Sequence, residues 1–506
     1  MWWITPALGA PPTAITLEGT IPVGPPDHFR VPFEVPEGIA EIEIRHDDGS
    51  EVNILDWGLE DPAGWRGWGG GNVEPIVVGI EAASRSYVPG PIPSGTWNVV
   101  VGEARVDDPS AGWAIEIVLR DAPTLPPQPE RRPYAHAPPL EVGARWYAGD
   151  LHVHSRESGD ASPTLDEIAD TAAARGLDFV VVTDHDTVTQ LDWFADAQAR
   201  HPDVLLVPGT EYTTYQGHAN ALGATAWVDH KLGTDGVTIE SAAAAYAAQG
   251  AVFSLNHPAL DLGDLCIGCA WDLPVPLSVG AIEVGTGGWE PIGNLFTPLA
   301  VDLWEALSAE GRHLAAVGGS DDHQAGADTG PFASPIGSPT TMVWADELSV
   351  PALLDAIRAE RTVVKLQDPT DPMVALTTDG DRVTARVTGG VGAELVWVVD
   401  GEARPAVPVD ADPFTDELGA PTARVRVELW GDGHPRVLTS HAWTGAPPAA
   451  AADDPGCGCR GSPLVSRWLT GWGVLWVGAR RARSGTARAA GTPPRPPPTA
   501  RAPRRR

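Results

Sequence analysis

Between His152 and His323 the histidines and carboxylates of this chain stand directly behind short apolar runs. The segment Gly149-Asp-Leu-His-Val-His-Ser155 is the first case, and Leu177–Val182 runs into Thr183-Asp184-His185-Asp186. Val204–Val207 leads to Pro-Gly-Thr-Glu211, with Gly217-His218 just beyond, and Val252–Leu255 leads to Asn256-His257-Pro258. Leu314–Val317 ends in Gly318-Gly319-Ser320-Asp321-Asp322-His323. Side chains alternate faces along an extended strand, so His152 and His154 share one face and can chelate one ion. Imidazoles and carboxylates together suit Zn, Mn or Fe(II). A carboxylate can bridge two ions, and a hydroxide bridging the ions is a nucleophile whose pKa the metals lower. Any one of these residues alone reads more naturally as bland, because a His-Val-His arises by chance and a His-Pro often just ends a strand. A ligand-type group at five successive strand ends is hard to obtain that way. His28, His46, His136, His201, His230, His313, His434 and His441 fall outside the pattern and read as ordinary core or surface histidines.

The elements that must position these groups follow from periodicity. Leu165, Ile168, Ala169 and Ala172 form one helical face within Pro163–Arg175, and Gly176 is its stop signal. The apolar runs suit strands of a parallel sheet or barrel buried on both sides. In a β/α barrel the C-terminal strand ends open onto one face, so the polar clusters would converge there. This central α/β part is expected over residues 142–370. Residues 13–122 show period-two alternation in Phe29–Phe33, Ala40–Arg45, Pro75–Ile80, Thr96–Val101 and Trp113–Leu119, which predicts a β-sandwich-like domain. A proline-rich linker follows over 123–141, and a second small β-domain is expected over 371–446.

The net charge of −33 conceals an asymmetry. From Gly456 onward there are 11 arginines and no carboxylate, leaving 23 basic against 67 acidic side chains in the rest. Such an acidic body repels phosphate backbones and argues against nucleic-acid binding by charge. Cys266 and Cys269 form a lone Cys-x-x-Cys in a Gly/Asp/Pro-rich loop. A structural zinc site usually needs two such pairs, so a small disulfide is expected if the protein is exported and two bland thiols if it is not. Residues 1–12 read as the remnant of a signal segment or as a frayed terminus. Residues 447–506 combine Cys457 and Cys459, an apolar stretch from Leu464 to Ala479 and an arginine cluster. That stretch is short of the ~20 apolar residues that span a bilayer. It resembles a degenerate surface-sorting tail, which would imply cell-surface or membrane attachment; a basic disordered tail in a cytoplasmic protein is the alternative.

His152-Val-His154, Thr183-Asp-His185, Gly209-Thr-Glu211 and Ser320-Asp-Asp-His323 resemble, in order, the motifs of the PHP (polymerase and histidinol phosphatase) superfamily. The run Glu211-Tyr-Thr-Thr-Tyr-Gln-Gly-His218 and the Asn256-His257-Pro258 tripeptide look like its CehA/McbA-type metallohydrolase branch. The resemblance implies a multidomain protein whose centre is a distorted (β/α)7 barrel. It also implies two or three divalent ions, Mn, Zn or Fe. His152, His154, Glu211 and Asp321 would hold the first, with Glu211 bridging to a second held by His218 and His257. His185, His323 and Asp160 would hold a third; Asp160 stands in Ser158-Gly-Asp-Ala where many relatives have histidine or a Ser-Asp-Gly. Arg156 and His323 are candidates near a leaving oxygen, with an exposed arginine in a surface ion pair as the other reading of Arg156. Asp184 is expected to orient a ligating histidine, and Glu283 to act either so or as a core-edge carboxylate.

The leading functional expectation is hydrolysis of a small-molecule phosphate mono- or diester. The same site acting on a carbamate, carboxylic ester or amide is the alternative. A surface-anchored binding protein with an inactive barrel is a third reading, against which the full ligand set argues. A phosphatase is expected to converge lysines and arginines on its site, and Arg156 is the only such residue beside a ligand motif.

Overall fold

The computed structural model describes residues 13–22, 24–327, 334–380, 382–419 and 424–444. The expected leader 1–12, Cys457, Cys459 and the apolar stretch of the tail lie outside the described residues.

The N-terminal part is two four-stranded sheets. One runs Thr13–Gly19, Trp113–Arg120, Glu41–Asp47, Ile76–Gly79; the other runs His28–Val35, Gly95–Arg105, Ile54–Asp61, Gly64–Gly70. Every neighbouring pair is antiparallel. The alternating residues face inward, so Val31, Phe33, Trp97, Val99, Ile42, Ile44, Ile115 and Ile117 share one core. Trp57 and Trp97 are fully buried there, which turns two of the chain's many tryptophans into core volume. The strand pair Ile54–Asp61 and Gly64–Gly70 escaped the sequence reading because its glycines break the alternation. One of them, Gly67, is required: its φ is +147°, and a Cβ would sit 2.3 Å from the Tyr87 ring. The proline-rich segment that follows is an ordered strap. Glu41 accepts hydrogen bonds from Thr124, and Arg131 pairs with Asp192 at 3.1 Å.

In the central part, Glu141–Val153 pairs in parallel with Phe179–Val182, which pairs in parallel with Leu205–Pro208. On its other side it pairs antiparallel with Thr340–Leu348, and the sheet continues through Thr362–Lys365 into the C-terminal strands His434–Thr439, Arg424–Gly431 and Glu394–Val399. This is one eleven-stranded sheet. A second sheet has the order Glu211–Thr214, Gly217–Leu222, Val252–Leu255, Val279–Thr286, Ala315–Gly319. Two isolated parallel bridges, His185 to Glu211 and Val153 to Asp322, tie the sheets together at the polar strand ends.

The expected (β/α)7 barrel is therefore not what the described residues form. They contain five α-helices, too few for seven crossovers. Glu211–Thr214 and Gly217–Leu222 are joined by Tyr215 and Gln216 alone, and a two-residue link permits only an antiparallel hairpin. Where a helix was expected after Ser162, Leu165–Ala174 is present, started by a reciprocal cap between Thr164 and Glu167. It buries Leu165, Ile168, Ala169 and Ala172, the predicted face. At the C-terminal end, Met373–Asp379, Arg382–Thr388 and Phe414–Gly419 form a three-stranded sheet. Its Val374, Val383 and Val387 pack against Trp397, Val425 and Val427 of the long sheet.

Candidate metal centre

The strand Glu141–Val153 delivers His152 and His154 to the same side, with their Nε2 atoms 3.1 Å apart. Glu211, at the start of its hairpin, reaches the middle of the cluster and is completely buried. Its Oε1 lies 3.4 Å from His152 Nε2, His218 Nδ1 and His257 Nε2. Its Oε2 lies 3.4 Å from His154 Nε2 and 2.9 Å from His185 Nδ1. Asp321 Oδ1 is 3.2 Å from both His152 Nε2 and His154 Nε2. Asp160 Oδ2 is 3.4 Å from both His185 Nε2 and His323 Nε2. The residues named from the motifs thus come together, Asp160 included.

Three observations bear on whether these residues fit metal ions. Ligands about 2.0–2.2 Å from one ion lie roughly 3.0–3.5 Å from each other by simple geometry, and the separations above have that spacing. Among the described residues the buried oxygens Glu211 Oε2 and Asp321 Oδ1 have no hydrogen-bond partner, an arrangement that costs free energy unless a cation answers it. Candidate ligand atoms fall within 4.8 Å of one another in three groups: His152, His154, Glu211 and Asp321; His154, His185 and His323; and His218, His257 and Cys269. Cys269 is joined to Cys266 as a disulfide, and a disulfide sulfur is not a thiolate ligand, so in this state the third group is left with its two histidines. The donor set fits divalent metal.

The rings are held by their other nitrogens. His152 Nδ1 pairs with Glu283 Oε2 at 3.2 Å, and the same oxygen accepts from the His257 backbone N–H at 3.1 Å. Glu283 is therefore a positioning carboxylate rather than an idle core-edge group. His154 Nδ1 pairs with Ser158 Oγ, His257 Nδ1 with the Cys269 carbonyl, and His218 Nε2 with the Ile267 carbonyl. The Cys266–Cys269 loop thus clamps two rings. Asn256 Nδ2 donates to Glu211 Oε1 at 2.8 Å. Asp150 accepts backbone N–H bonds from His152, Ser320 and Gly337, pinning two strand ends together. Sequence reasoning did not assign roles to Ser158, Asn256 or Asp150, although all three sit inside the quoted stretches. Gly319 is packed so closely that a Cβ would lie 2.3 Å from His152 Cβ. His257 and Asp321 hold φ of +28° and +58°, left-handed values unusual for such residues and typical of strained functional positions.

Asp184 does not take its expected role. Asp184 touches no ligand histidine; it accepts from Ser155 N–H at 2.6 Å and Ser155 Oγ at 2.7 Å and so fixes the turn behind His154. Its burial pushes its carboxyl up to about 8. Of the two readings of Arg156 the surface ion pair is the one found: the residue lies outside the cavity, half-exposed, 3.9 Å from Glu157 and 5.4 Å above the Trp193 ring.

Charge is distributed unevenly. Burial, then the charges of His323 and His185, lower His154 to about 3, leaving a neutral ring. Burial also opposes charge on His323, but Asp160 outweighs it and raises that ring to about 9. Asp321 is half-buried, which opposes its charge, yet His152 and His154 hold it below the usual carboxylate range.

The N-terminal sandwich roofs the site. A cavity of about 500 Å³ lies over the cluster, walled on one side by His28, Asp56, Trp68 and the Gly69–Asn72 turn. The seam is tight: a Cβ on Gly159 would lie 2.2 Å from the Gly69 carbonyl oxygen, and Tyr215 donates to Asp56 at 2.8 Å. Ser86 N–H donates to Glu157 at 3.0 Å. Among the described residues that line this cavity there is no lysine or arginine.

No family model matches the chain, and no curated protein matches it. Among solved structures it is similar to a two-domain protein from Bacteroides vulgatus containing a predicted PHP-like metal-dependent phosphoesterase, at 19% identity and TM-score 0.37, covering 62% of this chain and 98% of that one. It is also similar to an amidohydrolase from Chromobacterium violaceum with bound sulfate and no metal, at 19% identity and TM-score 0.24, over 37% and 93% of the two chains. A protein described as a metal-dependent phosphoesterase from Bifidobacterium adolescentis matches at 14% identity and TM-score 0.26, over 42% and 95%. Likeness at this level carries no functional weight; the chain's own cluster of histidines and carboxylates does.

Proposed function

We propose that this chain is a metal-dependent phosphoesterase of the PHP type, acting on phosphodiesters. The observation that carries the reading is Glu211, a fully buried carboxylate faced by five histidine nitrogens at 2.9 to 3.4 Å. His152, His154, Glu211 and Asp321 would hold one ion. Glu211, His218 and His257 would hold a second, and His185, His323 and Asp160 a third. Bound Mn, Zn or Fe would polarise a phosphoryl oxygen and lower the pKa of water to supply a nucleophile.

The protein's own side chains do the rest. Glu283, Ser158 and the Cys266–Cys269 loop fix ring orientation, and the sandwich walls one side of the cavity. The absence of lysine or arginine from the cavity lining favours a singly charged diester over a doubly charged monoester. The same absence supports a second reading, hydrolysis of a carbamate, carboxylic ester or amide, whose scissile group is neutral. The test is metal analysis of the full chain purified without chelator, beside His152→Ala/His154→Ala, followed by assay on bis(4-nitrophenyl) phosphate, 4-nitrophenyl phosphate and an aryl carbamate. The expected result is bound divalent metal that falls in the variant, with fastest turnover of the diester. A protein that holds no metal after reconstitution refutes the enzyme reading, and turnover of the carbamate alone selects the second.

A further inference from the structure

Two histidines outside the metal-facing cluster also line the cavity. His28 begins a strand of the sandwich, and His230 lies between the strand Gly217–Leu222 and the helix Ile239–Ala248. Both are more than nine-tenths buried, and none of their four ring nitrogens has a hydrogen-bond partner among the described residues. Asp186 Oδ1 lies 3.6 Å from His230 Nδ1. Simple core filling does not need two imidazoles here, because an apolar ring of similar size would fill the space without stranding polar atoms.

Aromatic neighbours hold the pair. His28 stacks on Tyr215 with centroids 5.4 Å apart and planes 8° from parallel. His230 meets Trp68 edge-on at 4.5 Å, and the two histidine rings are 5.6 Å apart. Tyr215 is anchored by its bond to Asp56. Burial, reinforced by Lys231 and Arg30, lowers His28 to about 3, and burial with His28 and Lys231 lowers His230 as well. Each neutral imidazole offers one donor and one acceptor, so the pair matches neighbouring hydroxyls better than an anion or a cation. Trp68 and Tyr215 add flat apolar faces to the same wall.

We propose that His28 and His230 form a substrate subsite across the seam between sandwich and metal-bearing part, which holds an uncharged, hydroxyl-bearing ring on the non-reacting arm of the phosphodiester. Placing the ring on an arm of a phosphodiester rests on the proposed function; the binding of such a ring does not. The sandwich then selects substrate as well as covering the site.

The experiment uses the full, metal-loaded chain with His28→Phe and His230→Phe, which keep a ring and remove its nitrogens, and His28→Gln, which restores a donor and an acceptor. The readout is the ratio of kcat/KM for thymidine 5′-(4-nitrophenyl phosphate) to that for bis(4-nitrophenyl) phosphate, with metal content measured in parallel. Each Phe variant should lower that ratio about tenfold through KM at wild-type metal content, with His28→Gln recovering part of it. A ratio that stays within about twofold of wild type overturns the subsite. Calorimetric titration with thymidine and with methyl glucoside separates the two readings. If wild type hydrolyses neither diester but binds one of these rings, and the His28→Phe/His230→Phe double variant does not, the phosphodiester reading fails while the subsite stands. Binding of neither ring by wild type overturns the subsite whatever the hydrolysis shows.

Discussion

Removing Glu283 tests whether the histidines are built to hold metal or merely pack. One oxygen, Oε2, takes both the His152 ring contact at 3.2 Å and the His257 backbone N–H at 3.1 Å. Its other oxygen, Oε1, has no partner. Glu283→Gln can keep both bonds on its single carbonyl oxygen and place the amide where Oε1 stood, so it loses charge and little geometry. Hydrogen bonds to a charged group contribute roughly 1.5–3 kcal/mol against roughly 0.5–1.5 for neutral ones, a difference of about 1 kcal/mol or about fivefold in affinity. Glu283→Ala strands two buried donors at about 1–3 kcal/mol each and frees the His152 ring, so a loss of about 100-fold is expected. The assay is competition of metal-stripped protein against a chromophoric chelator, with circular dichroism to show that each variant is folded. Metal affinity of a folded Glu283→Ala protein within about threefold of wild type would refute the positioning argument. So would a Gln variant as damaged as the Ala one.

Three further outcomes follow from other features. His323, raised to about 9 by Asp160 against burial, is protonated in the metal-free protein at pH 7.5, so binding an ion there must expel a proton. The calorimetric heat should then depend on the buffer's ionisation enthalpy at pH 7.5; equal heats in phosphate and Tris at that pH contradict it. Because this pKa is raised on folding, its stabilisation of the metal-free protein is complete below about 6.5 and disappears as pH rises through about 9, which thermal melts across that window will register. Reduction of Cys266–Cys269 should loosen the loop whose carbonyls hold His218 and His257, lowering the number of ions per chain with little change in Tm, since the bridged segment is short. Gly159→Ala should destabilise the fold and cut activity together, because its Cβ would meet the Gly69 carbonyl oxygen at 2.2 Å beside Asp160; wild-type melting and activity would mean the seam is looser than drawn.

Local pattern explains what could be read in advance. The helix Leu165–Ala174 was legible because its cap, apolar face and glycine stop are all written within a few residues. The cluster was legible because parallel strands end on one side, so ligand types placed just after each apolar run must meet. What depends on pairing between distant strands was not. The antiparallel Gly217–Leu222 is buried along its whole length yet contains His218 and Asn220, so its composition hides its position. Nothing local distinguishes Thr340–Leu348 as an antiparallel neighbour of Glu141–Val153. His28 and His230 looked ordinary for the same reason, since their interest arises only where two separate parts of the chain meet. Asp184 was misassigned because a carboxylate beside a ligand histidine can turn either way, and here the Ser155 turn captures it.

The place of Glu141–Val153 in the long sheet also sets a schedule for biosynthesis. Its parallel partner, Phe179–Val182, leaves the ribosome soon after it, but its antiparallel partner begins only at Thr340. At translation rates of about 5–20 residues per second, that strand edge waits unpaired for roughly 10–40 s. An open edge carrying apolar residues is a template for pairing with a neighbouring nascent chain. The segment that delivers His152 and His154 is thus the one most exposed to misassembly on polysomes, and chaperone binding during translation should concentrate on it until residues 340–348 emerge.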